Sequence, residues 1–298
     1  MWNMTEAIES NVRESLPTEY GGVPAGGVLI TKADGEQELF DPSKLSQSLT
    51  AAGATPEVRD RVIKHVVREL KHGMTTEEIY KHAFEILRRE DRAPVAARYS
   101  IKRAVFELGP SGFPFEQFLA EVLRAHGWSA RTGAILTGRC APHEVDVLAE
   151  KDGRRVGIEA KFHNDPAGKT DIKDALYVHA RYQDLTNSPD GASRTDEGWL
   201  VTNTRFTQNA IRYAQCSNLT LIGWDYPRDK GLLAMIEEAR VHPLTCLTSL
   251  SGSEKRRLLD NKIVLCKHVQ IGHLLEEYGI RSNQIPKVME EANRLCGI

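Results

Sequence analysis

Between Phe113 and Asp225 the chain alternates short apolar runs with amphipathic stretches, and this rhythm restricts the fold more than any other feature. "FEQFLAEVLRAHGW" carries the apolar period of a helix packed on one side. "EVDVLAE" and "VGIEAKF" are strand-like, and the turn "KDGR" between them makes them adjacent and antiparallel. "DIKDALYVHARYQDL" is then helical, "EGWLVTN" a buried strand, "TQNAIRYAQ" a helix and "LTLIGWD" a further strand. Strands interleaved with helices call for a mixed sheet covered by helices and exclude a barrel of hairpins.

Turn-rich stretches divide the rest. Residues 1–27 end in "YGGVPAGG" and read as a tail and linker. "GVLITKADGEQELFD" reads as strand, Asp-Gly turn and strand, and "DPSKL" then opens a helix with Asp41 as N-cap and Pro42 in the first turn. Helical stretches follow at 43–52, 56–72, 75–90 and 93–108, the third opened by a Thr75 to Glu78 capping box. "GPSGFP" is the next break, and from about 231 onward the pattern is helical only. The expected organisation is a tail at 1–27, a hairpin-plus-helices domain at 28–110, a mixed α/β domain at 111–230 and a small helical domain at 231–298.

The 298 residues suffice for one large or two ordinary domains, and the apolar runs fall far short of the roughly 20 residues that span a bilayer. Glu6, Glu9, Arg13 and Glu14 interrupt the first segment, so no basic-then-apolar leader opens the chain and a cytoplasmic protein without membrane contact is expected. The five cysteines include no C-x-x-C pair, which points to reduced thiols and away from zinc. A net charge of −2 gives no global nucleic-acid signal, but it leaves a local basic face open.

The chemistry concentrates in "GIEAKFHN", residues 157–164. Strand alternation turns Ile158 and Ala160 one way and Glu159 and Lys161 the other. On the preceding strand "HEVDV" places Asp146 among apolar neighbours, where it converges with Glu159. Two carboxylates and the Ala160 carbonyl make a hard oxygen site suited to Mg²⁺ (or Mn²⁺), and Lys161 is placed to orient a water and offset charge on phosphorus. The bland alternative is a solvated Glu159–Lys161 pair worth only about a few tenths of a kcal/mol.

Asp146 followed by Glu159-x-Lys161 resembles the PD-(D/E)xK nuclease superfamily. With "FPFEQFLAEVLRAHGW" and "GWLVTNTRFTQNAIRYAQCSNLTLIGWD" it resembles Mrr-type restriction endonucleases over about 111–228. The resemblance implies a restriction endonuclease-like αβ sandwich that cuts DNA and pairs into a dimer or higher oligomer such as a tetramer. Asp146, Glu159 and Lys161 are then catalytic, with Glu116 as an assisting acid on the preceding helix. Glu116 also reads as a first-turn acid favoured by the helix dipole. One departure is Ala141-Pro142-His143, where many such enzymes carry a glycine-rich approach to the aspartate. His143 is readable as a base or as a structural residue, and His163 as a phosphate contact.

Lys169, Lys173, Tyr177 and Arg181, the last three at spacings of four, form a row suited to a phosphate backbone or to solvent, and Arg205 is a further candidate contact. "VLITKADGEQELFDPSKL" with "VAARYSIKRAVFEL" resembles the ATP-cone, a regulatory nucleotide-binding module, over about 28–108. That resemblance implies ATP or dATP, with Lys32 and Lys44 on its phosphates, Ile30 and Glu38 lining the base or ribose, and Thr76 from the helical part. Lys32-Ala33 stands where the pattern has Lys-Arg, so one cation is missing.

"LTSLSGSEKRRLLDNKIVLCKHV" resembles part of a helix-hairpin-helix DNA-binding domain, with Leu250, Leu258, Leu259, Ile263 and Val269 as core and Lys255, Arg256, Arg257, Lys262 and Lys267 around it. A plain helical bundle reads the same way. The functional expectation is a nucleotide-regulated, metal-dependent DNA endonuclease. The alternatives are a non-catalytic nucleotide-gated DNA-binding regulator and a structure-specific or junction-resolving nuclease.

Overall fold

The computed structural model describes residues 27–32, 35–89, 95–96, 99–270 and 272–296. The tail before Gly27 and the Ala33-Asp34 corner lie outside the described residues. The chain splits into two compact units between Asp91 and Arg92.

In the first unit β1 (Leu29–Thr31) and β2 (Gln37–Leu39) form an antiparallel hairpin with Ile30 opposite Glu38. Three helices follow: α1 (Pro42–Ala51), α2 (Pro56–Glu69) and α3 (Thr76–Arg89). The Asp41 carboxylate accepts the Ser43 N–H at the start of α1. In α2 the buried stripe is Val58, Val62, Ile63, Val66 and Val67. The predicted capping box opens α3, because Thr75 Oγ1 accepts the Glu78 N–H while the Glu78 carboxylate accepts the Thr75 N–H. Thr31 donates its N–H to the Met74 carbonyl, which ties the start of α3 to the hairpin.

The second unit begins with α4 (Ile101–Phe106) and α5 (Phe113–Ala125). Strands β3 (Ser129–Thr137), β4 (Pro142–Lys151) and β5 (Arg154–Lys161) follow as antiparallel neighbours. After the two-residue β6 (Lys169–Thr170) come α6 (Ile172–Thr186), β7 (Glu197–Thr202), the short β8 (Arg205–Phe206), α7 (Gln208–Ser217) and β9 (Thr220–Ile222). The sheet order is β3-β4-β5-β7-β9, with β5, β7 and β9 parallel, so the sheet is mixed. On one face α5 lays Phe115, Phe118, Leu119, Val122 and Leu123 over Val147, Ala149, Val156 and Ile158. On the other, α6 and α7 cover Leu136, Val145, Leu148, Leu200 and Leu221. Tyr182 of α6 fills a slot between Gly157 and Gly198, paired residues of β5 and β7 where any Cβ would strike its ring.

Strand β3 was not foreseen, because its alternation breaks in the middle. Gly133 has φ +63°, a backbone state that side chains oppose. Ala130 packs on the α5 face, whereas Ala134 and Leu136 pack on the α6 face. On β4 the same reversal separates Val145 from Val147, across Asp146. Pairing of β4 with β5 starts only at Val147. Asp146 therefore stands at the point where β4 peels away from β5.

Beyond the sheet lie α8 (Leu232–Ala239), α9 (Gly252–Asp260), α10 (Gly272–Glu277) and α11 (Ile285–Cys296). Leu250, Leu258, Leu259, Ile263 and Val269 are buried, as expected. They extend the core of the α5 face without interruption, and α4 joins it through Ile101, Ala104 and Val105. Thr245 Oγ1 donates to the Ala104 carbonyl at 2.5 Å. Cys140, Cys216, Cys246 and Cys266 are free thiols. Among the described residues no helix is long and apolar enough to cross a membrane.

Candidate active site

Where β4 diverges, the backbone of β5 loses a ladder partner, and Asp146 takes its place. Its Oδ2 accepts the Ala160 N–H at 2.8 Å. Glu159, the next residue back on β5, binds the Arg181 guanidinium of α6. Arg181 also donates to the Glu144 carbonyl at 3.1 Å and to the Tyr177 hydroxyl, and its guanidinium carbon lies 4.7 Å from the centre of the Tyr177 ring. Glu116 approaches from the first turn of α5.

These acids repel one another in a half-dry setting. Burial pushes the Glu159 carboxyl up to about 7, and Asp146 adds to the rise, against the opposing pull of Arg181 and Lys161. Burial likewise lifts Glu116 to about 7, helped by Asp146, Glu144 and Glu159. Asp146 is raised by burial, with the Ala160 N–H and Arg181 acting against the shift. Burial and like charge together hold these carboxyls above their ordinary range, a conflict that a nearby positive charge would relieve. Glu144 was not singled out in the sequence. Its position two residues before Asp146 was visible, but its closeness to Glu116 comes from folding.

Among the described residues no three His, Cys, Asp or Glu side chains gather into a ready metal cage. The donor set that remains is the Asp146 and Glu159 carboxylates with the Ala160 carbonyl. All are oxygens, and a sparse set of this kind fits Mg²⁺, which keeps several waters.

The other expected residues fall into distinct places. The Lys161 ammonium is 3.0 Å from Asp174, and its side chain is 45 % exposed. Asp174 also closes the capping box of α6 with Asp171, so the lysine is steered by a helix start. Lys173 and Tyr177 are exposed, while Arg181, with its side chain only 12 % exposed, turns in toward the acids. Arg205 is exposed on β8.

His143 is bound to Asp184 at 2.8 Å, and the same carboxylate accepts the Cys140 and Ala141 N–H groups. That His143 bond leads the contacts that hold Asp184 down to about 2. Asp184 thus latches the 138–141 turn, and His143 is held on the same carboxylate. His163 clips two segments, with Nε2 2.9 Å from Thr170 Oγ1 and its N–H donating to Asn203.

In the first unit Lys32 and Lys44 both approach Glu38, at 3.8 and 3.0 Å. Lys32 also pairs with Glu36 at 2.8 Å. Ile30 is buried, and Thr76 opens α3 just after the Thr31–Thr75 bridge.

Comparison with known proteins attaches families to these parts. The restriction endonuclease (Mrr catalytic) family matches residues 110–226, and the ATP cone domain matches residues 28–105. The chain is an ATP cone followed by an Mrr-type restriction endonuclease-like domain. The family "AF1548-like, C-terminal" matches residues 242–296. An uncharacterized protein of Archaeoglobus fulgidus is 33% identical over 181 residues, which is 60% of this chain and 100% of that protein. The crystal structure of a protein of unknown function, AF1548, is similar at 32% identity and a TM-score of 0.54, covering 63% of this chain and 99% of that one. The chain belongs to this AF1548-like family. A looser likeness, at 15% identity and a TM-score of 0.34 over 78% of this chain and 48% of that one, is to the MspJI restriction endonuclease in complex with a 27-mer oligonucleotide.

Proposed function

We propose that the protein is a metal-dependent endonuclease that hydrolyses phosphodiester bonds of DNA, with the cone binding ATP or dATP as a regulator. The observation that carries this reading is the convergence of Glu116, Asp146 and Glu159 into one half-buried acid cluster, with Lys161 beside it.

Asp146, Glu159 and the Ala160 carbonyl would hold Mg²⁺ or Mn²⁺. Held there, the ion would supply Lewis-acid chemistry, polarising a phosphoryl oxygen and lowering the pKa of a water. The Ala160 N–H fixes the Asp146 carboxylate, and Arg181 fixes Glu159. Lys161 leaves Asp174 to orient the attacking water and offset charge on the phosphorus. Glu116, poised near neutral pH, takes up a proton. Lys173, Tyr177 and Arg205 meet the DNA backbone.

In the cone, Lys32 and Lys44 exchange Glu38 for nucleotide phosphates, with Ile30, Glu38 and Thr76 around the rest of the ligand. Cutting both strands calls for two active sites, so the working form is a dimer or tetramer. Free thiols suit a reducing compartment, and we place the protein in the cytoplasm.

The test is incubation of the full chain with supercoiled plasmid and labelled oligonucleotides, with Mg²⁺ or EDTA and with or without ATP or dATP. The expected result is metal-dependent cleavage whose rate changes with nucleotide. No cleavage in any of these conditions would overturn the reading.

A further inference from the structure

Four large apolar side chains are exposed among the described residues of the second unit: Phe113, Ile135, Leu176 and Tyr177. Single exposed apolar residues are ordinary on any surface. Here, however, Phe113, Ile135 and Tyr177 each have a link to the acid cluster. Phe113 and Glu116 lie three residues apart in the first turn of α5, on one helix face. Ile135, 78 % exposed, pairs with Glu144 across the β3–β4 ladder, and register partners share a face of the sheet. Because alternation reverses at Gly133, that face is the α5 side, where Glu144 acts on Glu116. Tyr177, 58 % exposed, holds Arg181, which in turn holds Glu159.

Two of these rings also carry cations. Lys262 Nζ lies 5.9 Å from the centre of the Phe113 ring, and Arg181 lies over Tyr177. A paired duplex offers a cleft phosphates and sugars but keeps its base faces stacked away. The Tyr177 hydroxyl edge can meet such a backbone, but the ring faces and aliphatic side chains of the rim gain little from it, whereas they gain from an unstacked base. Lys262 suits a neighbouring phosphate, while Arg181 stays on Glu159 and braces the Tyr177 ring.

Resting on the endonuclease reading, we propose that the substrate of this site is DNA with unpaired bases beside the scissile phosphate, Tyr177 and Phe113 stacking on exposed bases and Ile135 wedging against the neighbouring pair. Aromatic stacking of this kind tolerates any sequence, and apolar wedges hold strands apart at kinked steps.

The experiment measures binding of the full chain to two labelled duplexes in Ca²⁺, by fluorescence anisotropy. One duplex is fully paired; the other has a three-nucleotide bubble with 2-aminopurine at its edge. Wild type should prefer the bubble by about tenfold or more, the effect of a single base–aromatic stack, and should quench or shift the 2-aminopurine signal. Ile135→Ala and Tyr177→Ala should each remove most of the preference. Tyr177→Phe, which keeps the ring but not the hydroxyl contact with Arg181, should retain it.

Equal affinity for both duplexes overturns the proposal while leaving the endonuclease reading intact. So does an unchanged preference in both alanine variants, or a loss of self-association on gel filtration in place of any DNA effect, which would mark the rim as a protein interface. Failure of wild type to bind either DNA removes the endonuclease reading, and this proposal with it.

Discussion

The two units handle charge in opposite ways. At the hairpin of the first unit, lysines and glutamates answer one another: Lys32 and Lys44 share Glu38, and Glu36 adds a second partner for Lys32. Lys44 and Glu36 are exposed and Lys32 and Glu38 half-buried, so water still reaches every one of these pairs and each contributes little. In the second unit Asp146 and Glu159 lie close enough to Glu116 to act on its charge under partial cover, and Arg181 binds just one of the three. The lesson is that ion pairing alone does not locate chemistry. The informative place is where burial and like charge coincide and the chain itself leaves the conflict standing.

The largest effect that separates the two regions is catalytic. Asp146→Ala or Lys161→Ala should lower plasmid cleavage by a hundredfold or more, by rough analogy with the loss of a proton-transfer group or ligand. The folded state, followed by circular dichroism, should persist. Cleavage at the wild-type rate by Lys161→Ala would dissolve the distinction between the acid cluster and an ordinary charged face.

Next in size is the nucleotide response of the cone. Lys44→Ala should weaken ATP or dATP binding about tenfold, the cost of one charge-assisted contact, as read by titration calorimetry. Unchanged affinity would reduce the hairpin lysines to surface partners of Glu38.

A smaller and more discriminating effect links pH to stability. Glu159 and Glu116 have folded values of about 7, above the usual 4.5, so the folded chain binds more protons than the unfolded one between those limits. Their contribution to stability is complete below the usual carboxylate value and is lost as pH rises through about 7. In EDTA the melting temperature should therefore fall from pH 5 to pH 8. Added Mn²⁺ should restore it more at pH 8 than at pH 5, because binding needs the ionised carboxylates. A metal response independent of pH would contradict this.

The smallest effect belongs to the first unit. Glu38→Gln should change its stability by about 1 kcal/mol or less in chemical denaturation, as for pairs that water still reaches.

Much of the architecture could be read from the chain, because helix and strand periods are local. Phe115, Phe118, Leu119, Val122 and Leu123 announced α5, and the "KDGR" turn set β4 against β5. β3 escaped because Gly133 inverts its alternation, so its apolar residues obey two patterns in sequence. The helical-only pattern after about 231 marks the C-terminal helices, but a buried helix face does not say what covers it. They continue the core of the α5 face.

In the site, Asp146, Glu159 and Lys161 were visible by spacing. Arg181 was expected on an exposed row, yet steps of four drift about 40° each around a helix of 3.6 residues per turn. The drift from Lys173 through Tyr177 carries Arg181 inward to Glu159. The Asp174 anchor of Lys161 and the Asp184 latch of His143 join residues far apart in the chain, and no local pattern announces them.

The account rests on the acid cluster being a seat for a divalent ion. Calorimetric titration of Mn²⁺ into the full chain at pH 7.5, alongside Asp146→Asn and Glu159→Gln, tests this most directly. The account predicts one saturable site per chain in wild type and its loss in both variants. Wild type that takes up no metal, or variants that bind it as wild type does, would contradict it.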